Sequence, residues 1–305
     1  MYLKRIQNRL RKQLKLYKTY GFASLIDDIL NGIRVWSLDA NHKTTTIHEG
    51  SISGADKAYL TIVELAETDN QIFQKFKSNR QYREILEHVD RDTGQKYLDV
   101  LNEYGNLSPK VVEFCKFDQC KPFRYSYYGI GRVSPSNLRY AKIYLDIQML
   151  FGSLNGMRIA EIGVGYGGQA HIINLVSKPS LYKLIDIPEV VKLTLKYLDS
   201  VGLKLITDDN SESFSDNYDL VISNYAFSEI SREIQENYLR NIILKSKRGY
   251  VIYNDILQNQ VESIKVQEFI ARVPGSVIIK EIPLTGSKNN LVIWGHQSIN
   301  GLVQS

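Results

Sequence analysis

The sequence holds only two cysteines, Cys115 and Cys120, in 305 residues. That is too few for a disulfide scaffold, and it suits a reducing compartment in which both remain unpaired structural thiols. Seven prolines and twenty glycines exclude collagen-like and low-complexity chains. There is no run of about 20 apolar residues that would read as a membrane-spanning helix. The basic N-terminus is not followed by the continuous apolar stretch of a secretory signal. These absences together point to a cytoplasmic protein. What is present is ordinary for a globular chain, with 43% hydrophobic and 23% charged residues. The length allows one large domain or two ordinary ones, with enough buried surface to fold without a staple.

The net charge of +5 is unevenly spread. Residues 1–18 carry seven cations (Lys4, Arg5, Arg9, Arg11, Lys12, Lys15 and Lys18) and no acidic group, which leaves 31 basic against 33 acidic residues elsewhere. Within this arm Leu3, Ile6, Leu10, Leu14 and Tyr17 recur at spacings of three and four, one stripe of a helix. A basic helix alone lacks a nucleic-acid recognition fold, so no nucleic-acid partner is expected. The arm reads as a helix packed on its own domain or on a second subunit in a homo-oligomer. A peripheral contact with anionic lipid, or with a polyanionic substrate, is the alternative.

The pattern changes near residue 150. Before it, residues 2–20, 22–31, 56–66, 69–77 and 80–89 read as helices, residues 40–54 as a polar loop, and residues 115–133 resist any periodic assignment. Ser134 and Pro135 open a helix as N-cap and first helical residue. Leu138, Ala141, Leu145 and Met149 line one side of it, and it ends near Phe151-Gly152. After residue 150, strands and helices alternate. Strands are expected at 157–164, 181–187, 203–207, 218–224 and 249–255, and helices after the glycines at 167–168, after Pro188, at 231–244 and at 259–272. Near-continuous apolar strands imply a parallel sheet covered on both faces. The last two strands, 276–282 and 290–296, are joined by too few residues for a parallel crossover, so they must run antiparallel.

Chemistry concentrates after the first of these strands. Glu161-Ile162-Gly163-Val164-Gly165-Tyr166-Gly167-Gly168 leads from a strand into a helix, where small residues let a ligand approach the backbone and the helix N-terminus. Asp186 ends the next strand about 20 residues on, where a carboxylate can accept from both ribose hydroxyls. Both NAD and S-adenosylmethionine satisfy that pattern. Two features favour the second. Glu161 would confront a pyrophosphate, with no basic partner in the loop, whereas a sulfonium and an ammonium tolerate a carboxylate. The closing antiparallel pair also departs from a dinucleotide sheet, which continues in parallel.

Residues 157–296 resemble a class I S-adenosylmethionine-dependent methyltransferase, with the E-x-G-x-G-x-G motif at Glu161–Gly167. A narrower resemblance covers about residues 80–255. The strings SPSNLRYAKIYLDIQMLFGSLNGMRIAEIGVGYGGQA, YKLIDIPEV, YDLVISNYAFSEI and KSKRGYVIYN are similar to the sugar O-methyltransferases of bacterial surface-polysaccharide clusters. Val164 stands where that family leads one to expect a glycine. The resemblance implies an α/β fold, a Rossmann-like seven-stranded methyltransferase sheet with an antiparallel last strand, preceded by a mainly helical N-terminal domain. Residues 1–150 would serve substrate and oligomerisation, and residues 151–305 would bind S-adenosyl-L-methionine. It also implies a carbohydrate acceptor, whether nucleotide sugar, lipid-linked glycan or polymer. A phenol or amine methyltransferase, an NAD-dependent oxidoreductase or epimerase, and a non-catalytic binding module are the competing readings.

The candidate cofactor ligands are Glu161, Gly163, Gly165, Asp186, Asp208 (with Asp209) toward adenine, Asn224 toward the methionine amine or the substrate, and Arg139 toward the methionine carboxylate. Each has a plain structural alternative, such as a cap, a turn or a solvated loop. The candidate bases for a sugar hydroxyl are Glu229 and His88. His171 is better read as a packed helix residue, His296 is a further candidate, and His42 and His48 carry little information. No metal site is expected. Asn224, Asn254 and Asp255 at one sheet edge would be the ligands if one existed. Tyr125, Tyr127, Tyr128 and Tyr140 are candidates for stacking on sugar faces, or for packing between the halves.

Overall fold

The computed structural model describes residues 21–38, 50–205, 217–254 and 262–296. The basic arm, Asp208, Asp209, Asp255, His42 and His48 lie outside them. The first half is helical, with α1 (Phe22–Arg34), α2 (Ile52–Ala55), α3 (Lys57–Thr68), α4 (Asn70–Phe73), α5 (Arg80–Ile85), α6 (Arg91–Glu103) and α7 (Pro109–Lys116). Capping explains several starts. Asp56, Asp69, Asn79, Asp90 and Ser108 each accept a backbone N–H from the first turn that follows. Residues 50–54 do not all belong to the expected loop, because Ser51 caps the short α2. The helix expected over 80–89 stops at Ile85. Helices α6 and α7 are additions to the sequence reading. A small hairpin, β1 (Tyr125–Tyr127) with β2 (Gly131–Val133), occupies part of the stretch without periodicity.

Helix α8 (Pro135–Phe151) has the expected ends, with Ser134 at the cap position and Gly152, at φ 76°, closing it. The Ser134 hydroxyl makes no capping hydrogen bond, however. The expected apolar stripe is also corrected. Met149 is exposed and Leu145 half-buried, whereas Asn137, Arg139, Lys142 and Asp146 are buried. The helix is wedged among α6, α7 and the first helix after the glycine loop, so it buries most of its circumference. Its polar residues survive there by pairing. Asp146 accepts from Lys142 Nζ, Tyr104 Oη and Tyr250 Oη, each at 2.6 Å.

The second half is the α/β unit, with β3 (Arg158–Ile162), α9 (Gly168–Val176), β4 (Leu181–Ile185), α10 (Pro188–Ser200), β5 (Leu220–Asn224), α11 (Arg232–Tyr238) leading into a π turn at Leu239–Ile243, β6 (Gly249–Asn254), α12 (Val266–Arg272), β7 (Val277–Lys280) and β8 (Asn289–Trp294). The strand order among the described residues is β4-β3-β5-β6-β8-β7. The first four are parallel, and β8 runs antiparallel between β6 and β7, with Gly249 opposite Trp294 and Val277 opposite Ile293. The expected α/β class, the parallel sheet and the inserted antiparallel strand are therefore all present. The described sheet has six strands rather than seven, since residues 203–205 of the expected third strand form none. One hydrophobic cluster joins the helices of the first half to one face of the sheet, from Tyr59 and Phe76 to Ile159, Leu220 and Ile293. A second, around Phe227, Phe269 and Trp294, covers the other face. Burying each such aliphatic side chain stabilises the fold by about 1.5–3 kcal/mol.

A candidate ligand pocket over the glycine loop

A pocket of about 430 Å³ opens at the carboxyl edge of the parallel strands, where open α/β sheets place ligands. Its lining includes Glu161, Gly163, Gly165, Asp186, Asn224, Arg139, His88 and Glu229. Thus the candidate cofactor ligands and the bases Glu229 and His88 come to one cavity, apart from Asp208 and Asp209, which lie outside the described residues.

The floor is the glycine loop, and the rest of the protein presses against it. A Cβ on Gly163, at φ 79°, would stand 1.9 Å from the Ala226 methyl in the turn after β5. One on Gly165, at φ 54°, would stand 3.1 Å from Leu86, which follows α5. Both positions favour glycine by conformation, and Gly163 also by space. Val164 is buried in the pocket wall, so the loop accommodates it as packing. Asp186 reaches back across the strand ends. Its Oδ2 accepts from Gly165 N at 3.1 Å and its Oδ1 from Ile187 N at 2.8 Å.

Glu161 is almost fully buried, and its Oε2 accepts from the Tyr182 hydroxyl at 2.6 Å. Burial pushes its pKa up to about 8; the Tyr182 hydrogen bond opposes this and the charge of Asp186 adds to it. The carboxyl expected to face the loop is therefore hydrogen-bonded within the protein, and its burial favours the protonated form.

Three side chains of the pocket keep buried atoms without a hydrogen-bond partner: Arg139, Asn224 and, through its Oδ1 alone, Asn289. Arg139 on α8 is 5% exposed, touches the Tyr140 hydroxyl at 3.4 Å, and leaves its buried Nε without a hydrogen-bond partner. Asn224, the last residue of β5, has both Nδ2 and Oδ1 buried and unpartnered. Buried polar groups are nearly always paired, so each such exception needs a reason.

The opposite wall carries the candidate bases. Glu229 is half-buried in a 3₁₀ turn (Ala226–Glu229), and burial lifts its pKa to about 7 against a hydrogen bond from the Asn254 side chain. His88 lies at the exposed rim, its Nδ1–H donating to the Ile85 carbonyl at 3.1 Å. Partial desolvation and the Arg139 charge lower its pKa below the ordinary imidazole value, which makes it the weaker base near neutrality. The segment 50–53 closes this side, with Ser231 N donating to the Gly50 carbonyl at 2.6 Å and Ser51 bridged to Ile230.

The remaining candidates fall elsewhere. His171 is buried beneath the loop, bonded to the Tyr197 hydroxyl at 2.9 Å and edge-on to Phe114 and Phe117, as expected of a packed helix residue. Neither it nor His296 lines the pocket. Of the four tyrosines, Tyr140 does and Tyr125, Tyr127 and Tyr128 do not. Asn224 and Asn254 share the pocket, but among the described residues no group of three or more His, Cys, Asp or Glu side chains could hold a metal ion. The sequence reading missed Tyr97 and Tyr225, which also line the pocket. Tyr225 adopts φ 70° directly after Asn224, and its hydroxyl donates to Glu281.

No family model matches the chain. A stretch of 72 residues is 33% identical to protein-L-isoaspartate O-methyltransferase of Pyrococcus abyssi, covering 22% of this chain and 33% of that protein. The chain thus spans about a third of the length of the curated relative it matches. Among solved structures, magnesium protoporphyrin IX methyltransferase of Synechocystis with bound SAH superposes with a TM-score of 0.38 at 12% identity, over 52% of this chain and 80% of that one. Ribosomal protein L11 methylase of Lactobacillus delbrueckii gives 0.37 at 18% identity, over 51% and 78%. Superpositions this loose leave the reading of this chain to its own residues.

Proposed function

We propose that the protein is an S-adenosyl-L-methionine-dependent O-methyltransferase whose acceptor is a sugar hydroxyl. The observation that carries the reading is the pair of orphaned buried groups, Arg139 Nε and the Asn224 amide, facing the same cavity as the glycine loop and Asp186. A cation, an amide with a free donor and a free acceptor, a carboxylate at a strand end and a glycine floor fit an amino-acid headgroup joined to a ribose. In this reading Arg139 holds the methionine carboxylate, Asn224 the amine and Asp186 the ribose, with Asp208 toward adenine. The bound cofactor would supply an electrophilic methyl group. Glu229, with a pKa near 7, holds the proton-accepting oxygen on the acceptor side, and Asn254 fixes its orientation. His88 and segment 50–53 limit water entry from the rim. Residues 1–150 then form the substrate-facing part and residues 151–305 the cofactor part.

The resemblance at the sequence level supports the sugar, within surface-polysaccharide synthesis, and the polar acceptor wall of Ser51, Ser53, Thr93 and Thr285 is compatible with a hydroxylated ligand. Calorimetry tests the cofactor. S-adenosylmethionine should bind and NAD should not, and Arg139→Leu and Asp186→Ala should each weaken binding by about 1.5–3 kcal/mol, the range for hydrogen bonds to charged groups. Binding of NAD alone would end this reading. For the acceptor step, Glu229→Gln should keep cofactor binding and lose about 10²–10⁴-fold in turnover. Unchanged turnover would remove Glu229 as the base.

A further inference from the structure

Helix α1 is built inside out. Its polar residues face the protein. Asp27 is fully buried and accepts from Arg91 Nη2 at 2.6 Å, Ser126 N at 2.7 Å and Arg132 Nε at 2.9 Å. Asn31 exchanges hydrogen bonds with the backbone of Arg124 at 2.9 and 3.1 Å. Arg34 forks onto Asp118 at 2.9 and 3.1 Å. The aliphatic residues face away, with Leu25, Ile26, Ile29, Leu30 and Ile33 all exposed, Ile29 to 54% and Ile33 to 76%. A surface helix normally buries its apolar stripe and shows its polar one. Here three specific polar anchors hold the helix so that a contiguous apolar strip remains outside, and such strips mark interaction surfaces.

We propose that this face seats the protein on an anionic membrane surface. Two further features select that partner. The seven cations of residues 1–18, with no acidic residue among them, precede α1 directly in the chain. An apolar helix face together with a polybasic segment is the two-signal combination that reversible lipid attachment requires. The hairpin β1–β2, which packs on α1, carries Tyr128 beside its turn with the side chain 99% exposed, and tyrosine favours the lipid–water boundary. A second copy of the chain fits less well. A stable interface takes about 20–30 residues a side, whereas α1 offers five outward aliphatic side chains along roughly 20 Å of helix.

Co-sedimentation of the full chain with vesicles decides it. The protein should pellet with vesicles containing phosphatidylglycerol, remain in solution with phosphatidylcholine alone, and release as salt is raised. Ile29→Glu with Ile33→Glu should cut binding by about tenfold or more while leaving the melting temperature in place, since both side chains are exposed. The milder Ile33→Ser should give a smaller loss in the same direction. Equal binding by the double variant, or no vesicle binding by the wild type, would overturn the proposal. A dimer in sedimentation velocity that becomes a monomer in the double variant, without vesicle binding, would assign the face to a second copy instead.

Discussion

In the pocket, polar groups are buried without partners; on α1, apolar groups are exposed without cover. Arg139 and Asn224 are held at the cavity wall with hydrogen-bonding capacity left over. Leu25 to Ile33 are held outside by the anchors Asp27 and Asn31 beneath them. Two other parts of the chain resolve these problems in the ordinary way. Asp146 is as buried as Arg139, yet three donors converge on it. Helix α10 is as amphipathic as a surface helix should be, with Val190, Leu193, Tyr197 and Leu198 buried. The contrast teaches that neither burial nor polarity marks a functional surface by itself. The informative feature is a group whose ordinary partner is withheld although the fold could have supplied one.

The largest effect is expected from Asp146→Ala, which strands Lys142 and two tyrosine hydroxyls in the interior and should cost about 3–5 kcal/mol in urea unfolding. Arg139→Leu, equally buried but without an acidic partner among the described residues, should cost far less. If the two proved equal, the distinction between satisfied and unsatisfied burial would fail. Next comes Gly163→Ala. The positive φ and the contact with Ala226 together should cost about 2–5 kcal/mol, and cofactor affinity should fall with stability.

The third test uses pH. The Glu161 pKa is raised to about 8 in the folded protein, so between the unfolded value near 4.5 and about 8 the native state binds the extra proton. Stability contributed by this group is thus full at low pH and lost as pH rises, by up to about 1.4 kcal/mol per unit. Denaturant midpoints measured across that window should fall less steeply in Glu161→Gln; identical slopes would mean that Glu161 is ionised in the fold. Smallest is the effect of Ile33→Ser, expected within about 0.5 kcal/mol because the side chain is 76% exposed. A larger loss by thermal unfolding would show that α1 is covered by the chain itself.

Much of the architecture was legible because it is local. Apolar runs such as those at Ile159 and Leu220, short and bounded by turn residues, read as buried strands. Ser134 with Pro135 starts a helix by fixing its own backbone, and the few residues between β7 and β8 forbid a parallel return. The glycine loop and Asp186 were legible for the same reason, as spacing within one strand–helix–strand unit. Helix α7 carries the same Ser-Pro start and α6 an aspartate cap, so both could have been found. Local pattern thus sufficed for the strands and helices that build the ligand-bearing unit, their alternation and the sheet edge where the ligand residues gather.

Tertiary structure alone decided which way side chains are satisfied. Nothing local says that Tyr182 donates to Glu161, that Leu86 lies over Gly165, or that Tyr97 and Tyr225 join the pocket, because these contacts close loops of tens of residues or more. The orientation of α1 is the sharpest case. Its periodicity shows an apolar face and a polar face, and the usual assumption buries the first. The partners of Asp27 stand 64 to 105 residues away, at Arg91, Ser126 and Arg132. Only when the fold brings them together does the polar face become the one that is held, and the hydrophobic face the one left for a partner.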